Sequence, residues 1–242
     1  RTSIASTISQ DSTESSSCDG GAPYPYHPAA PAAPAAPSSE ISDGSFVRGR
    51  WRRDVRRFRP DPLSDGLVEK LLAIAHQAPS VGNSQPWRFV LVEGTDARAG
   101  VRASFLTANA EALSDYTGDR AGTYARLKLA GLDDAPVQLA VFCDEVTGQG
   151  HGLGRRTMPE MLAYSCVCAI NTLWLAARAE GIGVGWVSIL DAGRLCRDLD
   201  IPADWTLVAY LCIGWPEEDS TTPELELAGW EHRRPDIPLE TR

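Results

Sequence analysis

Apolar positions along this chain change their spacing several times, and each change marks an element. Leu67, Val68, Leu71, Leu72 and Ala75 recur three and four residues apart, as on one helix face that Ser64 and Asp65 can start and Ala78-Pro79 must stop. Trp87 to Val92 reads as a strand, and the polar, alanine-rich stretch from Asp96 to about Ala130 as mostly helical. Pro136 to Cys143 supplies a second strand and Met158 to Glu180 a central helix. Gly183 to Ile189 gives a third strand, and Ala192 to Leu199 a short helix that ends before Ile201-Pro202. Thr206 to Ile213 is a fourth strand, closed by Gly214-Trp215-Pro216. The alternation predicts one α/β (α+β) domain over residues 46–242, a mixed central sheet flanked by helices. No internal repeat is visible.

Before Phe46 the pattern is lost. Residues 1–45 are rich in Ser, Thr, Ala and Pro around the run Pro28-Ala-Ala-Pro31-Ala-Ala-Pro34-Ala-Ala-Pro37. Prolines favour extended conformations, and such a stretch buries too little surface to offset chain entropy. A disordered N-terminal tail is the expectation, either a solvated extension or a ligand for a proline-recognising partner.

Charge narrows the function classes. With 23 basic and 32 acidic side chains the formal charge is -9, which argues against a phosphate-coating nucleic-acid binder. Leu162 to Ala179 is the longest apolar stretch, but Tyr164, Ser165, Asn171, Thr172 and Arg178 interrupt it, so a buried helix explains it better than a membrane span. No charged, apolar, small-residue succession near Arg1 argues for a signal peptide. Cys18, Cys143, Cys166, Cys168, Cys196 and Cys212 show no Cys-x-x-Cys pairing and read as reduced thiols of a cytoplasmic protein. Cys166 and Cys168 point to different sides of a helix, and His27, His76, His151 and His232 are scattered, so no metal is expected.

Candidate chemistry is concentrated in four places. Arg48, Arg50, Arg52, Arg53, Arg56, Arg57 and Arg59 surround a single acid, Asp54. Planar guanidinium forks match phosphate oxygens in pairs, although a basic run can equally be a solvated face that pairs with the protein's own acids. Asp54, among positive charges, is either an ionised base or a brace for the arginines. The turn Ala78-Pro-Ser-Val-Gly-Asn-Ser-Gln-Pro-Trp87 offers Ser80, Gly82, Asn83, Ser84 and Gln85 to a flat heterocycle, or is simply a helix-to-strand connection. Gly181-x-Gly-x-Gly185 lacks dinucleotide-fingerprint spacing, and fits either close approach of backbone to a ring or a strand-entry turn. Ser165 has neither a Ser-His-Asp partner set nor a nucleophile elbow, so hydrolase chemistry is not indicated. Its hydroxyl either meets a ligand or returns to a helix carbonyl. Trp174 and Trp186 read as core.

Four segments in this order carry a resemblance: Arg52-Arg-Asp-Val-Arg56, Ala78-Pro-Ser-Val-Gly82 with Gln85-Pro-Trp87, Tyr164-Ser-Cys-Val-Cys-Ala169, and the string from Leu173 to Ser188. Together they resemble the 5,6-dimethylbenzimidazole synthases, the flavin-destroying branch of the nitroreductase-like flavoproteins, over about Phe46 to Pro235. The resemblance implies a nitroreductase-like, homodimeric fold with FMN at the subunit interface. It implies that reduced FMN is the substrate, supplied by a separate flavin reductase, and that O2 is consumed as the ring system is fragmented to the lower ligand of cobalamin and erythrose 4-phosphate. Asp54 and Ser165 match the two catalytic polar residues. Arg52, Arg53, Asp54, Val55, Arg56, Ser80, Gly82, Gln85, Leu129, Ser165, Gly185 and Arg233 would contact the flavin. Asn83-Ser84 replaces a bulkier pair and makes that pocket edge more polar. Two rivals remain, an NAD(P)H-dependent FMN nitroreductase or quinone reductase and a non-catalytic flavin-binding or scaffold protein.

Overall fold

The computed structural model describes residues 52–127 and 131–242; the expected tail, Arg48, Arg50 and Leu129 lie outside them. Helix α1, Leu67–Ala75, starts from Gly66 in a left-handed conformation (φ 74°) and not from a side-chain cap. A single 3-10 turn, Val81–Asn83, leads to strand β1, Trp87–Leu91. The expected long helical stretch divides into α2, Thr95–Ser114, α3, Gly118–Arg126, and the short α4, Gly131–Asp134. Thr117 takes an extended conformation between the first two. Then follow β2, Val137–Asp144, the central helix α5, Met161–Ala179, and β3, Gly183–Val187. Helix α6, Ala192–Asp198, is capped by the Asp191 side chain accepting the Arg194 N–H, and β4, Trp205–Gly214, and α7, Glu224–Leu227, complete the described elements.

The four strands form one sheet in the order β1-β2-β4-β3, and every pair is antiparallel. The expected mixed character is confined to an isolated parallel bridge between Asp54 and Val184, at the free edge of β3. Both sheet faces are covered. Leu139, Val141 and Cys143 of β2 face a cluster with Leu71, Ala75, Leu162, Ala169, Ile170 and Leu173 from α1 and α5. Ala140 and Phe142 turn to the opposite cluster with Val101, Leu132, Leu195 and Tyr210. Alternation along a strand sends successive side chains to opposite faces, so a sheet buried on both sides reads as a continuous apolar run. β2 is buried at all but its terminal residues. Each large apolar side chain removed from water contributes about 1.5–3 kcal/mol.

By length and composition α5 could cross a membrane, yet its Leu162, Cys166, Ala169, Ile170, Leu173 and Ala177 pack into the core. Its opposite face is open and largely apolar: Tyr164, Val167 and Leu175 are exposed, and so are Cys168 and Asn171.

Candidate active site

The arginine segment reaches its position by joining a sheet edge. The Val55 N–H donates to the Val184 carbonyl at 3.0 Å, the Arg59 N–H to Trp215 at 2.8 Å, and the Glu217 N–H to Arg57 at 3.2 Å. Residues 54–59 therefore lie between β3 and the chain leaving β4. This contact accounts for the glycines of β3. A Cβ on Gly185 would stand 2.1 Å from the Val55 carbonyl oxygen, and one on Gly183 would stand 2.9 Å from a Val55 methyl. Their missing side chains admit another piece of the protein's own backbone. Gly181, with φ 76°, turns α5 into β3.

The arginines are not equivalent. Arg53 donates to the carbonyls of Thr221 and Arg52 at 2.9 and 2.7 Å. Arg57 lies 3.8 Å from Glu217 and 3.9 Å from Glu224, and Arg178 lies 2.8 Å from Asp219. Arg59 pairs with Asp61 at 3.0 Å. Arg52 is different: its guanidinium lies over the Trp174 ring, 4.9 Å from the ring centroid, a cation–π contact that leaves its N–H donors available. Arg53, Asp54, Arg56, Arg57 and Arg178 line a cavity of about 80 Å³ together with Glu224.

Asp54 is fixed on both oxygens. Its Oδ1 accepts the Trp186 N–H at 2.9 Å, and its Oδ2 lies 3.5 Å from Arg56 Nε. The Asp54 side chain keeps 38% of its surface exposed, yet desolvation by the protein around it raises this carboxyl above its ordinary value, against the opposing pull of the Trp186 N–H and Arg56; Glu224 adds to the rise. A second, very small cavity joins Asp54 and Arg56 to Gly131, Gly185, Trp186 and Cys212. Burial first, and the Asp54 charge second, push the Cys212 thiol up to about 12, so it remains protonated at neutral pH.

Ser165 is elsewhere. Its Oγ accepts the Val81 N–H at 3.0 Å and donates to the Met161 carbonyl at 2.7 Å, which ties the 80–85 turn to the start of α5. Trp174, whose indole donates to the Arg53 carbonyl at 3.3 Å, is about 13 Å further along the helix at about 1.5 Å per residue. Within one chain the partners of Asp54 and of Ser165 do not overlap. Ser80 accepts the Gln85 N–H at 3.1 Å, and Gln85 and Asn83 both take bonds from Gln149. Gly82, Asn83 and Gln85 all have positive φ, so the turn is tightly specified. Ser84 is buried, its hydroxyl without a partner among the described residues. Arg233 is exposed.

A nitroreductase family model matches residues 50–215. A 5,6-dimethylbenzimidazole synthase of Rhodospirillum rubrum is 58% identical over 193 residues, 80% of this chain and 92% of that protein. The chain belongs to the nitroreductase family, in its 5,6-dimethylbenzimidazole synthase branch. A synthase of the same description from Rhodobacter capsulatus is 52% identical over 77% of this nitroreductase-family chain and 90% of its own length. The fold agrees: a crystal structure of oxidized iodotyrosine deiodinase bound to FMN and 3-iodo-L-tyrosine superposes with a TM-score of 0.65 at 21% identity, covering 81% of this chain and 98% of that one. This member of the family is thus an enzyme of the α+β nitroreductase fold.

Sequence reasoning missed the 217–224 segment. The acids Glu217, Glu218 and Asp219 stand together directly after β4, and that charge run was the available signal for a partner to Arg57 and Arg178.

Proposed function

We propose that this enzyme consumes reduced FMN and O2 to form 5,6-dimethylbenzimidazole, the lower ligand of cobalamin, and that the flavin is its substrate. The observation that carries this reading is the carboxylate of Asp54, oriented by the Trp186 N–H and Arg56 and held above the usual carboxylate range. Releasing the ring from the ribityl chain requires removal of a proton near C1′, and a carboxylate with a raised pKa in a fixed orientation suits that task.

The residues present fit FMN. Arg52 has N–H donors to offer while its charge rests over the Trp174 ring, and Arg56 flanks Asp54. They are the better phosphate and ribityl ligands, whereas Arg53 is committed to main-chain carbonyls and serves with Val55 to position the segment. The cavity beside Asp54, about 80 Å³, is far below the roughly 300–1,000 Å³ of a site for a drug-sized ligand. A second protomer would complete the site for the isoalloxazine. The open apolar face of α5, with Tyr164, Val167 and Leu175 exposed, supports a homodimer. In that dimer Ser80, Gly82, Gln85 and Ser165 of one subunit would meet the ring held beside Asp54 of the other, with Arg233 closing on the phosphate. A separate flavin reductase would deliver the reduced flavin.

The test is to mix the purified protein with reduced FMN and air and analyse products by mass spectrometry. Formation of 5,6-dimethylbenzimidazole with loss of the flavin spectrum is expected. Steady NAD(P)H oxidation with quantitative return of oxidised FMN would instead establish an ordinary flavin reductase.

A further inference from the structure

A buried polar chain crosses the sheet beneath the Asp54 cavity, and nothing in the reaction described so far uses it. Gln138 of β2 is 1% exposed and Tyr210 of β4 is 0% exposed. The Tyr210 hydroxyl donates to Gln138 Oε1 at 2.6 Å, and Gln138 Nε2 donates to the Leu132 carbonyl at 3.0 Å. The arrangement is directional. A phenol raised further by burial stays protonated and has one proton to give. Giving it to Oε1 fixes the flip of the amide, so that the NH2 group must face Leu132. Fully satisfied networks of this kind lock one geometry, and a Leu-Phe pair would fill the same space without the cost of desolvating polar groups.

What the chain holds is a wall of the small cavity beside Asp54. Leu132 belongs to α4, whose first residue, Gly131, lines the small cavity with Asp54, Gly185, Trp186 and Cys212. Gly131 fits without slack: a Cβ there would stand 2.8 Å from the Phe58 ring and 3.2 Å from Cys212 Cβ. Gln138 is directly opposite Cys212 in the strand register, and Tyr210 precedes Cys212 by two, on the same face. The amide therefore grips α4 from below while Cys212, on the neighbouring strand, forms the cavity floor.

We infer that Gln138, oriented by Tyr210, is a positioning residue that holds the Gly131 wall against Asp54 and so sets the pose of the bound flavin. The inference rests on the reading of this site as the flavin site. Tyr210→Phe removes the proton that orients the amide, and Gln138→Leu removes the grip on Leu132. Both proteins should bind oxidised FMN within about threefold of the parent affinity. They should change the visible circular dichroism of the bound flavin and lower the yield of 5,6-dimethylbenzimidazole per flavin oxidised about tenfold or more. The double variant should be no worse than Gln138→Leu, since both act on one contact. An unchanged flavin dichroism and yield in the two folded single variants would overturn the inference. So would losses that merely track the unfolded fraction at the assay temperature. Should Gln138→Leu fail to fold, Tyr210→Phe decides alone. If the parent protein binds FMN yet makes no 5,6-dimethylbenzimidazole, the activity reading falls and the dichroism comparison still decides this one; if it binds no FMN, both fall.

Discussion

The carbonyl oxygen of Val55 occupies the space where Gly185 would carry a side chain, 2.1 Å from the Cβ position. The atom in the way is backbone, held by the adjacent Val55 N–H to Val184 bond, so it has no rotamer in which to escape. Gly185→Ala should lift the arginine segment off β3 and lower FMN affinity about 100-fold, read by flavin fluorescence titration. Gly181→Ala is the contrast. Its Cβ meets nothing nearer than 3.8 Å, so the positive φ alone should cost about 1 kcal/mol in stability, with FMN binding retained.

Asp54 makes opposite demands on function and stability. Its folded pKa is raised, chiefly by desolvation, so the folded state binds the proton more tightly than the unfolded chain does. Stability is therefore lost as pH rises from the unfolded value of 3.8 through the folded one, while the ionised carboxylate, the proposed base, appears over that same rise. Asp54→Asn should keep FMN binding, lose about 100-fold or more in product formation, and melt at or above the parent temperature at pH 7. The melting difference should vanish below the unfolded pKa. A clearly lower melting temperature for Asp54→Asn at pH 7 would mean that pairing with Arg56 and Trp186 outweighs desolvation.

How much of this was legible beforehand differs between elements. The strands and α5 were, because a doubly covered sheet and a buried helix write their burial into local period, and boundaries shifted by only a few residues. The arginine run and Asp54 were legible as a charge anomaly. Which arginines are committed was not, because that depends on residues 217–224 folding back across the segment, a contact more than 150 residues distant in sequence. The glycines of β3 were legible as close approach but not as to what approaches. Ser165 was assigned to a ligand through the resemblance, and its anchoring of Val81 depends on how the turn packs, which no local pattern encodes.

That anchoring gives Ser165 a measurable structural effect. Ser165→Ala leaves the Val81 N–H without its acceptor in a nearly closed site, where an unpaired donor costs about 1–3 kcal/mol. The 80–85 turn, with Gly82, Asn83 and Gln85 all at positive φ, should then exchange its amide protons faster. A Ser165→Ala protein that loses product formation but keeps parental melting temperature and amide protection would show the hydroxyl acting on the flavin alone. Loss of both would make the turn part of its action.

The open face of α5 carries the last prediction. Val167 and Leu175 are 39% and 38% exposed, and Tyr164 is 49% exposed, on a helix whose other side is core. Apolar side chains grouped this way on a 19-residue helix are the surface that the proposed homodimer would cover. A carboxylate placed there must be desolvated without a partner when two copies meet. Leu175→Glu should therefore shift the protein from dimer to monomer in sedimentation velocity, with little change in the far-ultraviolet dichroism. Since Asp54 and Ser165 share no partners within one chain, the monomer should also lose FMN binding. A monomeric Leu175→Glu protein that binds FMN as tightly as the parent would place the whole site in one subunit.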